Sequence, residues 1–568
     1  MAYTPVAIEH GGRVLLIWGA GMAWAGLGPA NTVVLYNDAS GAAADVAAYY
    51  AEQRQLPPGH TCGVTGVDPE TRTTDLAGFE AIRDALEACI AALPQPDEID
   101  VIVTVRGLPY VVELPQRAVG FEAALQVGRG TTPGGEEVLG QPNAQNATVP
   151  NPTYVGGRPC LAADLTESNA AGGWYRSSCT LTREKRLPRS FARVRTHELD
   201  GYDFTDQLFI VSRLDGFDFD DARALVDRGV AADGAFPGGE FLCMKGADPA
   251  RSARDPECEY TVRRLAEIGA NATWLPAFDG ALTGREVVTL FTGAASFRDG
   301  IAGQTYAPGA LACNLTSFGA VPTNFFCNED GSVCPASESQ TSIARFVRAG
   351  ASAAHGTVAE PLNNSFPDAS TLLLYHEGYS LGESMLYSLE FLYWYNLLLG
   401  DPLATPFAER PTVELPTQVE VGGPVTVTAA HPDGVKQIVL YDGGVRVAEA
   451  DGAELTWVPE AVPGAVLDLF AVATADAVLV GRPSYDASVS PPTGWEQPDE
   501  EGQRVRPDTQ GWASASVEVV AVPDPEPDSK GCQSAAGFSW PLGGLAAMML
   551  LLTAMIQRQF EPSRSHKP

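Results

Sequence analysis

The stretch IDVIVTVRG, residues 99–107, decides the fold class. Val101, Ile102, Val103, Thr104 and Val105 are five β-branched residues in a row, which suits a strand. The run lacks polar alternation, which suits a strand buried on both faces, as in a parallel sheet covered by helices. Working outward, NTVVLYN (31–37) reads as a first strand, followed by an amphipathic helix around 43–55 and a second near 76–92 that leads into 99–107. Downstream the alternation resumes. QLFIVSRLDG (207–216) is followed by a helix from near Asp220, then by REVVTLFTGAAS (285–296), GALACNLTSFGA (309–320), a helix at 340–350 and the strand ASAAHGTV (351–358). The run SLGESMLYSLEFLYWYNLLLG (380–400) reads as the last helix. The expected class is α/β, a parallel-sheet core with flanking helices over residues 31–410.

Two regions break this rhythm. Residues 115–205, rich in Gly, Pro and Asn, read as a disulfide-pinned insertion over one sheet edge. Residues 411–522 change to short alternating strands between Gly, Pro and Asp turns, the texture of an all-β immunoglobulin-like sandwich.

The ends read as addresses. Arg13 precedes an apolar run, 14–23, and Ala23-Trp24-Ala25 gives the small-x-small pattern of a secretory signal over residues 1–25, cut after Ala25. At the other end an acidic Pro-rich linker (523–531) precedes Cys532, an apolar stretch at 537–556 and the basic Arg558, Arg564 and Lys567. That stretch is close to the roughly 20 residues a bilayer span needs, and the basic flank sets its end on the cytoplasmic side. The layout of 532–568 resembles the Gly-Cys-containing sorting tails of myxobacterial surface proteins. The resemblance implies membrane anchoring, a sorting protease as partner and Cys532 as the processing residue.

With 568 residues and 45% apolar content the chain has material for more than one core. The formal charge of −33 argues against nucleic acid or an anionic membrane surface as partner. Export gives the cysteines a disulfide reading. Pairing sequence neighbours joins Cys62 to Cys89, Cys160 to Cys179, Cys243 to Cys258 and Cys327 to Cys334, and leaves Cys313 over.

Residues 378–382, GYSLG, match the G-x-S-x-G of a nucleophile elbow. The histidines that follow Ser380, His431 and His566, stand in the sandwich and the tail, out of reach. Ser380-x-x-Glu383 is also a capping box, so Ser380 is expected to start a helix.

Residues 31–410 resemble a family of exported bacterial proteins whose marks are L-T-S-F-G (Leu315 to Gly319), G-T-V-x-E-P (Gly356 to Pro361), G-x-x-L-G-E (Gly378 to Glu383) and G-D-P-L (Gly400 to Leu403). The strand order and the following sandwich are similar, more distantly, to the gingipain-type cysteine peptidases with their caspase-like core. That resemblance implies a catalytic His-Gly after one strand and a catalytic cysteine after the next. The first segment here is LFTGAAS, with Gly293 and no histidine; in the second, Cys313 falls at the cysteine position. His355, on the next strand, is the candidate to replace the missing base.

Two functions therefore stand open: a degenerate core that binds a peptide or surface partner, and a cysteine hydrolase using Cys313 with His355. Each residue also has a structural reading, Cys313 as a small buried side chain and His355 as a core histidine. Ser317 reads as a cap or turn residue. The adjacent His376 and Glu377 would face opposite ways on a strand. The acidic runs LDGFDFDD (214–221) and NEDGS (328–332) offer calcium-type oxygen ligands without the full loop pattern, and Asp218, Asp220 and Asp221 suit helix capping. No metal or cofactor motif is present.

Overall fold

The computed structural model describes residues 26–115, 117–139, 149–154, 201–205, 207–477 and 507–522, with the backbone of a few two- and three-residue strands elsewhere. Ala25 and Cys532, the pair Cys160–Cys179, the linker and the sorting tail lie outside the described side chains. Among the described residues no helix is long and apolar enough to cross a membrane. The chain divides into two compact units, residues 1–521 and 522–568, and among the described residues every strand and helix lies in the first.

A ten-stranded sheet organises that unit. The strands are β1 (Thr32–Asn37), β2 (Thr61–Val64), β3 (Val101–Val105), β4 (Ile210–Leu214), β5 (Glu240–Met244), β6 (Ala272–Leu275), β7 (Glu286–Thr292), β8 (Thr305–Asn314), β9 (Ala353–Thr357) and β10 (Asn396–Gly400). Their spatial order is β6-β5-β7-β8-β9-β10-β4-β3-β1-β2. The runs β6 to β9 and β4 to β2 are each parallel throughout, and β10 enters antiparallel to β9. Every residue of β3 is buried, as its β-branched run requires. Helices α1 (Gly41–Arg54), α2 (Leu76–Ala91), α3 (Phe121–Val127), α4 (Phe219–Ala232) and α5 (Asp255–Glu267) supply the covering layers, with α6 (Ala344–Ala349), α7 (Ser370–His376) and α8 (Leu381–Tyr387) toward the end. Their buried faces and the sheet share one apolar core.

Two expectations change. The single helix expected over 380–400 is α8 alone: it ends at Tyr387, Tyr393 takes a left-handed φ of 58°, and Asn396–Gly400 is strand β10. The run has no clear period, and such a run fits a buried strand as well as a buried helix. Here it fills the position between β9 and β4, where all five residues are buried. Of the expected insertion 115–205, residues 121–127 form α3, which is buried along its whole length and packs on β4.

After Arg410 two smaller sheets follow, one of Thr412–Glu414, Val425–Ala430 and Glu454–Trp457, the other of Gln418–Glu420, Asp508–Val520, Val466–Asp476, Gln437–Asp442 and Val445–Asp451. Alternate residues Val425 and Val427 of the first close with Ile438, Leu440, Leu469, Ala471, Val517 and Val519 of the second on a common core. The molecule is thus α/β with a large parallel-containing sheet, followed by two sheets that are antiparallel but for the pairing of Gln418–Glu420 with Asp508–Val520. The pairs Cys62–Cys89, Cys243–Cys258 and Cys327–Cys334 are bonded, and Cys313 is a free, buried thiol.

Candidate functional site

Parallel register places the two singled-out residues side by side. Cys313 on β8 is the ladder partner of His355 on β9 and, on its other side, of Phe291 on β7. In-register residues of a parallel ladder share a sheet face, so the three side chains meet on one surface. The Cys313 Sγ lies 3.5 Å from His355 Nδ1. His355 Nε2 lies 2.9 Å from Oδ1 of Asn396, the first residue of β10. An amide oxygen only accepts, so Nε2 carries the ring proton, and the Nδ1 lone pair faces the thiol. The result is a hydrogen-bonded line of thiol, imidazole and carboxamide, the Cys–His–Asn arrangement that cysteine hydrolases use on other folds.

A cation closes the line from above. Arg254, just ahead of α5, points Nη1 at Cys313 Sγ (3.1 Å) and donates to the carbonyls of Pro367 (3.0 Å) and Thr292 (3.2 Å). Its guanidinium lies between the rings of Phe291 and Phe366, 5.1 and 5.5 Å from their centroids. The Cys243–Cys258 disulfide fastens the first turn of α5 to β5. Phe366 also stands edge-on to His355, 5.3 Å between centroids.

The consequence is a sealed site. Cys313 has no exposed surface and His355 has 1%. Burial raises the Cys313 thiol pKa, and the charge of Arg254 only partly offsets this. Burial holds His355 down at about 3, with the Asn396 hydrogen bond opposing and Arg254 adding to the depression. At neutral pH both groups are therefore uncharged, and no imidazolium stabilises a thiolate. A small, partly open pocket of about 30 Å³, room for a water or two, borders His355 and Asn396 on the side of Glu122, Gln126, Val211 and Met385.

Of the His-Gly that the resemblance implies, Gly293 matches the glycine and Thr292 stands in the histidine's place. A Cβ on Gly293 would lie 2.2 Å from the Arg251 carbonyl oxygen. The remaining candidates are structural or stand apart. Ser380 caps α8, accepting from Glu383 N–H (3.2 Å) while Glu383 accepts from the Ser380 N–H (3.1 Å). Asp218 caps α4, accepting from Asp221 N–H, and Arg348 bridges Asp218 and Asp221. Ser317 donates to Glu360 (2.8 Å). His376 ends α7 against Phe241 and Phe407, away from Cys313. Among the described residues no three His, Cys, Asp or Glu side chains converge as metal ligands.

Sequence reasoning missed Asn396 and Arg254. Asn396 was hidden by the helical reading of its segment. Arg254 carries no local signal beyond its place four residues before Cys258.

No family model matches the chain, and no curated protein matches it. Among solved structures it shows a faint likeness to the fibronectin(III)-like modules of Clostridium thermocellum CbhA. There the identity is 15% over 22% of this chain and 52% of that one, about half its length, with a TM-score of 0.12. A superoxide reductase (neelaredoxin) from Ignicoccus hospitalis is alike at 14% identity over 20% of this chain and 82% of that one, also with a TM-score of 0.12. At that level neither likeness bears on fold or function.

Proposed function

We propose that this is an exported, surface-anchored protein whose α/β part is a caspase- or gingipain-like core without turnover, acting in binding at the cell surface and followed by an immunoglobulin-like sandwich. The observation that carries the proposal is the sealed thiol. Cys313 sits at the position the peptidase resemblance singles out, on the strand next to the LFTGAAS strand, yet it is wholly buried beneath Arg254. Thr292, ahead of Gly293, leaves the pattern without the base that it requires. Three disulfides fit an oxidising compartment. The test is to incubate the full chain with pooled fluorogenic peptide and ester substrates beside Cys313→Ala. Equal, background rates support a scaffold. Turnover that Cys313→Ala abolishes overturns it.

The Cys313–His355–Asn396 line favours a second reading, a cysteine hydrolase that works once the site opens. In it, His355 Nδ1 takes the thiol proton, Sγ attacks a carbonyl carbon, and His355 returns the proton to the leaving group while Asn396 holds the ring.

A further inference from the structure

What covers His355 and holds Arg254 over the thiol is itself a separate element. Residues 360–369 run from the end of β9 to α7 and cross the site by way of Phe366 against His355 and the Pro367 carbonyl on Arg254. Five fastenings hold the segment. Glu360 accepts from Ser317, and Asn363 Nδ2 donates to the Ala250 carbonyl (3.0 Å). Arg254 holds Pro367, Ala369 N–H donates to Glu257 Oε1 (2.7 Å), and the Glu257 carboxyl is hydrogen-bonded to Asp368. The first two are exposed and the last three are not. Arg254 and Glu257 are both at the start of α5, so one helix end carries the buried fastenings.

We infer that residues 360–369 form a strap that masks Cys313, and that a proton shared between Glu257 and Asp368 latches it shut, so that loss of this proton opens the site. Two carboxylates cannot share a buried hydrogen bond with neither protonated; one must be the donor. Glu257, buried where Asp368 is half-buried, is assigned the proton. Burial first, and then the Asp368 charge, push its pKa well above the ordinary carboxyl range, while the Arg254 charge and the Ala369 N–H oppose. Burial raises the Asp368 pKa as well, opposed by hydrogen bonds from Ser370 and the Tyr154 hydroxyl (2.7 Å). The other ionisable groups around the pair are Asp255 on α5, Glu390 beyond α8, which acts on Tyr154, and Cys313 and His355 beneath. In the open strap Glu257 is solvated and titrates as an ordinary carboxyl. The closed form therefore has its full advantage below that ordinary value and loses it as pH rises toward the raised one. The inference does not depend on what, if anything, the thiol acts upon.

The test uses the full chain with its disulfides intact. Iodoacetamide is the probe: the Cys313 thiolate displaces iodide, and peptide mapping gives the rate from pH 5 to 9, divided by the thiol's own ionised fraction. The corrected rate is expected to rise at least tenfold across this range in the wild type and to stay low and flat in Glu257→Gln, which keeps the hydrogen bonds and removes the proton. Phe366→Ala is expected to be fast at every pH. Hydrogen exchange of wild-type peptides supplies a readout that needs no variant. Protection of 360–369, corrected for intrinsic exchange, falls with pH while that of 309–314 holds. Identical corrected profiles for wild type and Glu257→Gln, or a strap whose protection never departs from that of strand 309–314, overturn the latch. Substrate turnover enters neither measurement, so a failed latch is separable from a failed scaffold reading.

Discussion

His355 and Asn396 meet across the antiparallel β9–β10 pair, Nε2 to Oδ1 at 2.9 Å, and this contact fixes which ring nitrogen faces Cys313. Replacing Asn396 with Leu leaves a buried ring N–H without an acceptor, a loss of about 1–3 kcal/mol. Urea unfolding at pH 7.5 measures it. The freed ring also has no reason to keep its proton on Nε2, so histidine ¹⁵N shifts should report a mixed tautomer in Asn396→Leu and a single one in the wild type.

Acid should destabilise the fold through the same histidine. In the unfolded chain His355 titrates near its ordinary 6.5, and in the fold it is held at about 3. The unfolded state thus binds the proton first as pH falls, and stability is complete above about 6.5 and lost between there and 3. Each unit of that window is worth about 1.4 kcal/mol, so by pH 4, 2.5 units below the ordinary value, the loss is about 3.5 kcal/mol. The midpoint of thermal unfolding should fall less steeply between pH 6.5 and 4 in His355→Gln. Parallel slopes would contradict the assignment.

How much of this could be read from the chain depends on where local pattern ends and long-range register begins. Val101–Val105 announces a doubly buried strand because nothing but burial on both faces tolerates five β-branched residues in a row. The cap at Ser380 was legible for a similar reason, since its two hydrogen bonds span only three residues. The bonded neighbours Cys62–Cys89, Cys243–Cys258 and Cys327–Cys334 left Cys313 free as spacing suggested. Arg254 and Asn396 were invisible because their partners lie 59 and 41 residues away. The Asn396 segment could be assigned only by knowing that β9 and β4 lacked a strand between them.

Arg254→Met keeps a long apolar stem between Phe291 and Phe366 but removes the donors to Cys313, Pro367 and Thr292. Hydrogen bonds from a charged group contribute about 1.5–3 kcal/mol, and a loss of that size is expected in urea. Arg254→Lys should recover only part of it, because an ammonium cannot span the same acceptors in one plane. Full recovery by Lys would show that charge alone matters.

Gly293→Ala tests how tightly the chain closes beside the missing histidine. The added methyl meets the Arg251 carbonyl at 2.2 Å and must displace the 248–251 turn. Overpacking of this kind costs about 1–3 kcal/mol. A drop in the thermal midpoint is the expected result, and an unchanged midpoint would show that the turn yields freely.

Away from the site, the fold is pinned by a charge cluster that joins the two ends of the α/β part. Arg54 at the end of α1 donates to Asp401, directly after β10, and to Asp233, directly after α4, with Tyr50 donating to Asp401 at 2.8 Å. Arg54 is 1% exposed and Asp401 is fully buried. Removing Asp401 leaves the buried Arg54 with Asp233 alone as counter-charge and the Tyr50 hydroxyl without its acceptor, a loss of about 1–3 kcal/mol. Asp401→Ala should therefore unfold at markedly lower urea. The exposed helical pair Arg263–Glu259 on α5 is the control, because solvent and salt screen it and its removal should leave the midpoint where it was. The same comparison in 1 M salt separates the two further: added ions have no access to Arg54, so the Asp401→Ala deficit should persist undiminished.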